Sequence, residues 1–443
     1  MRHRTWTRRA LPLCQLVLFL AAPTLTGVSL HGQGFFVGNR WTTTATDGSG
    51  LSRGDATNLT WGFVGDGTDI RGGVGEARSN SDLVSFLDTN IGAGGGGSDY
   101  TNRPWFSLFE DSYNRWGEVS GLNFSYENDD DGVSILNTSG HFQGSLNVRA
   151  DMRIGGHSID GQSGSNTLAY NYFPNHGDMV IDTDNSTFYG NGSNNYIGLR
   201  NVVMHEVGHG LGISHLVSDD SAFLMEPFIN TSFDGPQFAD ILAVQRLYGD
   251  QFEEGNGNDT STNASQLGAL DKTATIIGAD ASDKVVGAND VDFVSIDGSN
   301  DTDFFSFTVG GSDKTVILEL TPMGPTYHAE EQNGNNSNNF VASAQNDLTL
   351  TLFDTDGSTI LATSNTNGLG GNETISELLA AGTYFVRVTG AQDEVQFYQL
   401  SASAVPEPAT LATVSLLSVG GFFYWRRRKR APEMPVREET GEA

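Results

Sequence analysis

Three histidines and a glutamate in one short segment, residues 205–215, are the side chains best suited to chemistry; the segment reads HEVGHGLGISH. Residues four apart share one face of a helix, so His205 and His209 can direct two imidazoles at one metal ion. Gly212 allows the chain to turn sharply out of the helix, which brings His215 back as a third ligand. Three nitrogen ligands leave a fourth position for water, which is typical of a catalytic zinc site rather than a structural one.

Glu206 lies next to the first histidine, where its carboxylate can hold a water molecule on the metal. Five fixed identities at fixed spacings arise by chance with odds on the order of 10⁻⁵, whereas shorter motifs match by accident far more often. The alternatives are ordinary helix histidines and a metal site that has lost catalysis. Glu206 beside an intact set of three histidines favours a working catalytic site.

The same segment matches the metzincin zinc signature in full, and residues 35–250 resemble the matrixin-like branch of these metallopeptidases. Residues 221–227, SAFLMEP, resemble the Met-turn of the family, which implies that Met225 packs under the metal as a floor rather than as a ligand. Residues 106–124 resemble its first helix and following strand, and residues 237–249 its closing helix.

The resemblance implies that extended protein or peptide substrates are cleaved in a cleft between a larger upper part and a smaller lower part. In such a reaction Glu206 accepts the proton of a water molecule, whose pKa a zinc ion lowers from about 16 toward 7. Glu206 then passes that proton to the leaving amine. No covalent acyl-enzyme forms, so no serine or cysteine nucleophile is needed. The resemblance thus implies a metalloendopeptidase.

The departures from the matrixin pattern concern further metal ions. Matrixins usually carry a structural zinc, and His157 is the nearest candidate for its first histidine. Tyr170 and Val180 stand where further ligands are expected, so we predict one zinc ion per chain. Three carboxylates fall near calcium-binding positions of the family and are candidate calcium ligands: Asp151, Asp178 and Asp182.

The elements that must position the histidine segment form an α+β domain, which we place at residues 34–250. Large apolar residues at helical spacing predict helices at 105–119, 199–211 and 238–248. Apolar runs predict strands at 59–64, 151–154 and 179–182. Strands mixed with helices indicate a metzincin-like α+β catalytic domain.

An acidic, Asn- and Gly-rich stretch, residues 251–263, reads as a linker to a second domain at residues 264–404. Alternating apolar runs predict an antiparallel, all-β sandwich with strands at 303–309, 316–320, 348–353 and 383–388. The block resembles the bacterial pre-peptidase C-terminal domain through NDT at 258–260, DFFSF at 303–307, LFD at 352–354 and AGTYFVRV at 381–388. This resemblance implies an accessory role, and the pattern suggests nothing catalytic.

Both ends of the chain read as export signals. Residues 1–33 carry arginines before a short apolar run, which predicts a signal peptide. Residues 405–430, with VPEPAT, an apolar membrane segment and RRRKR, resemble the PEP-CTERM sorting signal of Gram-negative bacteria; a tail follows at 431–443. That resemblance implies export to the cell surface or the extracellular space, transient membrane anchoring and processing by an exosortase-type enzyme. A plain single-span anchor is the alternative.

The composition limits the possible partners. The chain has 24 Lys and Arg against 54 Asp and Glu, a formal net charge of −30, which argues against nucleic-acid partners. Acidic, Asn- and Gly-rich loops suit Ca²⁺, although they also serve solubility alone. The single cysteine, Cys14, lies in the predicted leader, so the mature protein has no disulfide, no thiol chemistry and no thiol-based latency.

A competing class of function is a structural or adhesive extracellular-matrix protein with a vestigial metal site. The acidic sandwich, the sorting tail and the strand-rich composition would all suit such a protein. Another possibility is a peptidase that acts mainly on its own chain or on a co-exported partner. Glu206 with three intact histidines favours a secreted zinc-dependent endopeptidase.

Overall fold

The computed structural model describes residues 33–137, 141–161 and 167–406. The predicted signal peptide lies outside these ranges apart from residue 33, and the predicted sorting tail lies outside them apart from residues 405–406. Within the described ranges, no helix combines the length and the apolar character that a bilayer crossing requires.

The first domain, up to residue 250, contains ten strands and five α-helices among the described residues. The strands are β1 Thr43–Thr44, β2 Gly48–Ser49, β3 Thr57–Phe63, β4 Asp69–Ile70, β5 Ser79–Asn80, β6 Leu122–Tyr126, β7 Met152–His157, β8 Ala169–Asn171, β9 Met179–Asp182 and β10 Leu216–Val217. The helices are α1 Leu83–Asn90, α2 Phe106–Gly117, α3 Ser186–Tyr189, α4 Ile197–Gly210 and α5 Phe238–Tyr248.

The central sheet of this domain has the strand order β6-β3-β7-β9-β8. Neighbouring strands are parallel except for β8, which runs antiparallel to β9 and ends the sheet. Helix α4 contacts this edge strand as well as helix α2. The sheet and α2 are joined by stacked aromatic rings, among them Trp61 on Tyr113 at 4.8 Å. The edge strand β8 therefore lies next to the helix that carries the histidines.

The second domain is built from strands. They are β11 Ser265–Ala269, β12 Thr275–Ile277, β13 Ser295–Ile296, β14 Thr302–Val309, β15 Lys314–Pro322, β16 Thr326–Glu331, β17 Asn338–Val341, β18 Leu348–Phe353, β19 Ile360–Ser364, β20 Glu373–Leu379, β21 Gly382–Gly390 and β22 Gln396–Pro406. One sheet has the order β11-β14-β21-β18-β19, and the other has β12-β22-β15-β20 with β13 beside β22. Apolar side chains from both sheets share one core.

The prediction of a mixed α and β domain followed by a β-rich domain is confirmed. The expectation of purely antiparallel strands is wrong at one place, because β11 runs parallel to β14. The two strands are not joined by a hairpin, so nothing forces them to be antiparallel. β11 comes directly from the predicted linker and occupies the edge of its sheet.

The two domains are joined by a contact that the sequence did not predict. Strand β10 of the first domain pairs with β16 of the second, and β17 completes a three-stranded sheet. We call residues 326–341, which contain β16 and β17, the docking hairpin. Around it, buried apolar residues of both domains form one cluster, in which the Tyr327 ring lies 4.9 Å from Phe223 and 6.1 Å from Phe238. The domains thus share a core.

Candidate active site

Helix α4 and the turn after it bring the three predicted histidines together. The helix ends at Gly210, and Gly212 has φ of +102°, a conformation that favours glycine. A Cβ at Gly212 would also lie 2.3 Å from the carbonyl oxygen of Asn39. The turn is held by the backbone N–H of Ser214, which donates to the carbonyl of Phe36 at 2.8 Å. His215 consequently returns toward the helix.

The three imidazoles converge through the same ring atom. The Nε2 atoms of His205, His209 and His215 lie 3.1 Å from one another in all three pairs. Each Nδ1 lies close to an oxygen: the carbonyl of Leu224 at 2.7 Å, the carbonyl of Ile213 at 2.7 Å, and Oε1 of Gln332 at 2.8 Å, respectively. These oxygens can only accept, so each Nδ1 carries the hydrogen and each Nε2 presents a lone pair.

The three Nε2 lone pairs point at each other and repel unless a cation lies between them. Nitrogens 3.1 Å apart allow one ion at the usual Zn–N distance of about 2.0–2.1 Å to reach all three. Burial, with help from the neighbouring histidine, lowers the pKa of His205 to about 3, and burial lowers that of His215 to about 4. Burial also holds the pKa of His209 well below its usual value. Neutral imidazoles are the form that binds a metal, so the residues fit zinc.

Glu206 has no partner within the described residues. It is fully buried, and neither carboxylate oxygen accepts a hydrogen bond from the protein. Burial raises the pKa of this carboxyl group well above its ordinary value. A buried carboxylate without partners destabilises a fold, so its presence beside three converging histidines indicates a functional role. A water molecule and a neighbouring cation would satisfy it.

The Met-turn packs directly under the histidine helix. A Cβ at Gly208 would lie 2.5 Å from Sδ of Met225, so glycine is required for this close approach. The turn also positions a ligand, because the carbonyl of Leu224 accepts from Nδ1 of His205. Asp240 fixes the turn by accepting from the backbone N–H groups of Leu224 at 2.8 Å and Met225 at 3.1 Å.

Asp240 and Gln332 are site residues that the sequence analysis missed. Asp240 is the third residue of α5 and forms a capping box with Gln237. Its spacing from a polar residue at the start of a predicted helix is a signal that could have identified it. Gln332 has no such signal, because it belongs to the second domain and is 117 residues from His215.

The residues at the position predicted for a structural zinc form a hydrogen-bonded group. The Tyr170 hydroxyl donates to Oε1 of Glu76 at 2.7 Å. His157 lies on the same carboxylate, with Nε2 3.4 Å from it, and its Nδ1 lies 2.6 Å from Oγ of Ser79. Val180 is buried in an apolar cluster. His157 and Tyr170 therefore share the carboxylate of Glu76.

The structure does not bring the three candidate calcium ligands together into a cation site. Each is buried and accepts hydrogen bonds from the protein. Asp151 accepts from the backbone N–H and the hydroxyl of Thr60, and Asp178 from the backbone N–H of Arg153. Asp182 accepts from the backbone N–H of Ile159, and burial raises its pKa to about 6.

A different group of carboxylates could hold a cation. Oxygens of Glu253, Asp259 and Asp301 lie within 4.8 Å of one another, at the junction of the two domains. Beside them the amide of Asn258 is buried, and neither of its polar atoms has a protein partner in the described part of the chain. Burial and the neighbouring carboxylates raise the pKa values of Glu253 and Asp301. Crowded oxygens of this kind are the ligands that Ca²⁺ prefers.

Comparison with known families finds a similarity in each domain. The family model described as matrixin matches residues 98–249, which hold the histidine helix, the Met-turn and α5. The model described as the bacterial pre-peptidase C-terminal domain matches residues 301–390. Residues 98–249 are therefore similar to matrixins and residues 301–390 to pre-peptidase C-terminal domains, and the matrixin match supports a zinc metalloprotease.

Individual relatives agree with the first of these matches. Metalloendoproteinase 5-MMP of Arabidopsis thaliana is 29% identical over 177 residues, covering 36% of this chain and 43% of the relative. The hatching enzyme of Paracentrotus lividus is 30% identical over 151 residues, covering 33% and 22% respectively. The chain thus spans less than half the length of these curated relatives.

Among solved structures, the pre-peptidase C-terminal domain of a collagenase from Bacillus anthracis aligns with 32% of this chain and 94% of its own. The identity is 17% and the TM-score is 0.19, too low to support a conclusion.

Proposed function

We propose that this protein is a secreted zinc-dependent endopeptidase. The observation that carries the proposal is the convergence of three Nε2 atoms at 3.1 Å from one another beside the unpartnered carboxylate of Glu206. His205, His209 and His215 would hold one zinc ion. When bound, zinc supplies a nucleophile at neutral pH by lowering the pKa of a water molecule, and it polarises the substrate carbonyl.

Residues of the chain itself carry out the proton transfers and hold the zinc ligands in place. Glu206 orients the attacking water, accepts its proton and returns it to the leaving amine. Its burial favours this, because a desolvated carboxylate is a stronger base than one in water. Met225 and Asp240 act at a distance, since they hold the backbone that orients His205.

The edge strand β8 is the place we propose for the substrate. In the described part of the chain β8 pairs with β9 on one side only, so its second edge can accept an extended peptide as an added strand. Just beyond it, the Phe173 ring lies 5.7 Å from the His209 ring. A peptide paired with β8 would therefore pass close to the histidines. The substrate class is accordingly unfolded or extended segments of proteins.

The proposal is tested by mapping the products of cleavage. The purified full-length protein should cut an unfolded protein at internal bonds, and mass spectrometry should identify fragments with new termini. Products that appear one residue at a time from either end would contradict endopeptidase action. The Glu206→Gln variant serves as the matched control, because contaminating peptidases would remain in that preparation.

We predict one tightly bound zinc ion per chain. Tyr170, His157 and Glu76 satisfy one another where a second zinc would be held, and Val180 offers no ligand atom. Metal analysis of the purified protein should give a zinc-to-protein ratio near one, and the ratio should fall when His209 is replaced. Two tightly bound zinc ions per chain would contradict the prediction.

We also propose that calcium binds Glu253, Asp259 and Asp301 and stabilises the domain junction. A ligand at 100 times its Kd stabilises the folded state by about 2.7 kcal/mol, so a calcium-selective chelator should lower the melting temperature. The Asp301→Asn variant should lose this dependence on calcium, and Asp182→Asn should keep it. A melting temperature that does not change when calcium is removed would contradict the proposal. If only Asp182→Asn lost the dependence of its melting temperature on calcium, the calcium position expected from the sequence would be favoured instead.

Export and C-terminal processing remain proposals that concern residues outside the described ranges. The segment from Leu411 to Trp425 is short for the roughly 30 Å hydrocarbon core, which suits transient anchoring. We predict that the mature protein ends near Pro406 and lacks the basic cluster RRRKR. C-terminal mass spectrometry of protein recovered from the native cell surface decides this. Retention of the basic cluster in most molecules would indicate a plain anchor instead.

A further inference from the structure

Strand β10, which follows His215 directly, is held between two parts of the molecule. On one side the backbone N–H of Leu216 donates to the carbonyl of Met225 at 3.0 Å. On the other side β10 pairs with the docking hairpin, with Leu216 opposite Glu331 and Val217 opposite Glu330. The second domain therefore reaches the strand that leaves the third zinc ligand.

The next residue of the hairpin completes this contact. Oε1 of Gln332 lies 2.8 Å from Nδ1 of His215 and accepts its hydrogen. The other two histidines donate to backbone carbonyls within the first domain, those of Leu224 and Ile213. His215 is thus the one ligand of the three whose orientation depends on a side chain, and that side chain comes from the other domain.

The hairpin that carries Gln332 is held at its tip and at its base. The backbone N–H of Glu331 donates to the carbonyl of Asn335 at 3.0 Å, which closes the tip of the hairpin. At its base, the Tyr327 hydroxyl donates to the carbonyl of Gly34 at 2.9 Å, and the Tyr327 ring packs on Phe223 and Phe238. The amide of Gln332 is consequently presented to His215 from the exposed tip of a hairpin whose base is buried.

We propose that Gln332 is a positioning residue for His215, so that the second domain completes the zinc site of the first. An acceptor on Nδ1 fixes the tautomer and the ring orientation of a metal-binding histidine, and losing it typically costs 10–100-fold in metal affinity or activity. The inference rests on the proposed function. It also implies the reverse effect, because coupling between two sites is reciprocal: bound zinc strengthens docking of the hairpin.

The test compares variants of the full-length protein. Gln332→Met keeps the length of the side chain but removes the oxygen that accepts the hydrogen from Nδ1 of His215. Gln332→Glu keeps an oxygen that can accept it. His328→Asn is the matched control, because His328 lies on the same hairpin and its Nδ1 is 3.4 Å from Asp219 of the first domain without touching a zinc ligand. Zinc affinity is measured by competition with a chromophoric chelator, and the site geometry by the visible absorption of Co²⁺ placed in the site.

We expect Gln332→Met to bind zinc 10–100-fold more weakly and to alter the Co²⁺ spectrum. Gln332→Glu and His328→Asn should remain within a few-fold of the wild type. Wild-type zinc affinity and an unchanged Co²⁺ spectrum in Gln332→Met would overturn the inference and leave the proposed function standing. Equal losses in all three variants would also overturn it, since they would indicate a general effect of the hairpin. Failure of the wild-type protein to bind zinc would instead contradict the proposed function.

Discussion

Replacement of Glu206 by glutamine is expected to lower kcat on the order of 10³-fold or more while zinc stays bound. Glutamine has the same shape but cannot accept the proton of the attacking water, and it lacks the negative charge. The three histidines do not depend on Glu206, because their Nδ1 atoms have other acceptors. The variant should remain folded, since both carboxylate oxygens lack a partner among the described residues.

Three measurements on this variant check that expectation: kcat on a peptide substrate, zinc content, and melting temperature. Removing an unpartnered buried carboxylate should leave the melting temperature unchanged or raise it. Glu110→Gln is the control, because Glu110 is exposed on α2 and has no role in the site. If Glu206→Gln cleaved peptides as fast as the wild type, Glu206 would not be the general base.

A chain cut after Asp250 is expected to lose most of its stability, because the first domain shares its core with the second. Without the docking hairpin and the neighbouring strands, the side chains of Leu216, Phe223 and Phe238 would be exposed to solvent. Exposing one such side chain costs about 1.5–3 kcal/mol, and the whole folded state of a domain is stable by only about 5–15 kcal/mol. Loss of several of them leaves little or no net stability.

The truncated chain would also lose polar contacts across the same surface. The side-chain amide of Gln245 donates to the carbonyl of Phe293 at 3.1 Å, and the guanidinium of Arg115 donates to the carbonyl of Asp290 at 3.0 Å. Thermal unfolding and resistance to a second protease compare this chain with one cut after Pro406, which keeps both domains. Equal stability of the two chains would show that the shared core contributes little.

The convergence of the three histidines was predictable because its geometry is local. His205 and His209 are four residues apart on one helix, and the positive φ of Gly212 explains how the chain brings back His215. Met225 followed from the family pattern, and Gly208 shows why that methionine can approach the helix. For His205 and His209 the sequence spacing on one helix sets the distance between the side chains.

The remaining features depend on contacts between distant parts of the chain. In the sequence, the docking hairpin shows only the alternation of apolar and polar residues that the other strands also show. Its pairing with β10 in the structure is what shows that it joins the two domains. Gln332 has no local pattern that connects it to His215. Asp151, Asp178 and Asp182 stay predicted calcium ligands, and the structure adds that each also accepts a hydrogen bond from a backbone N–H group. The burial and the hydrogen bonds of these carboxylates cannot be predicted from their spacing in the sequence.

The central claim is that His205, His209 and His215 bind a zinc ion that serves peptide hydrolysis with Glu206. It is tested most directly by removing zinc from the full-length protein with a zinc-selective chelator, with calcium present, and then titrating zinc back against an unfolded protein substrate. Cleavage should disappear with the metal and return in proportion to bound zinc, reaching its maximum at one ion per chain. Cleavage that survives zinc removal would contradict the account, and so would a zinc-loaded protein that cuts no peptide, which would favour a matrix protein with a vestigial metal site.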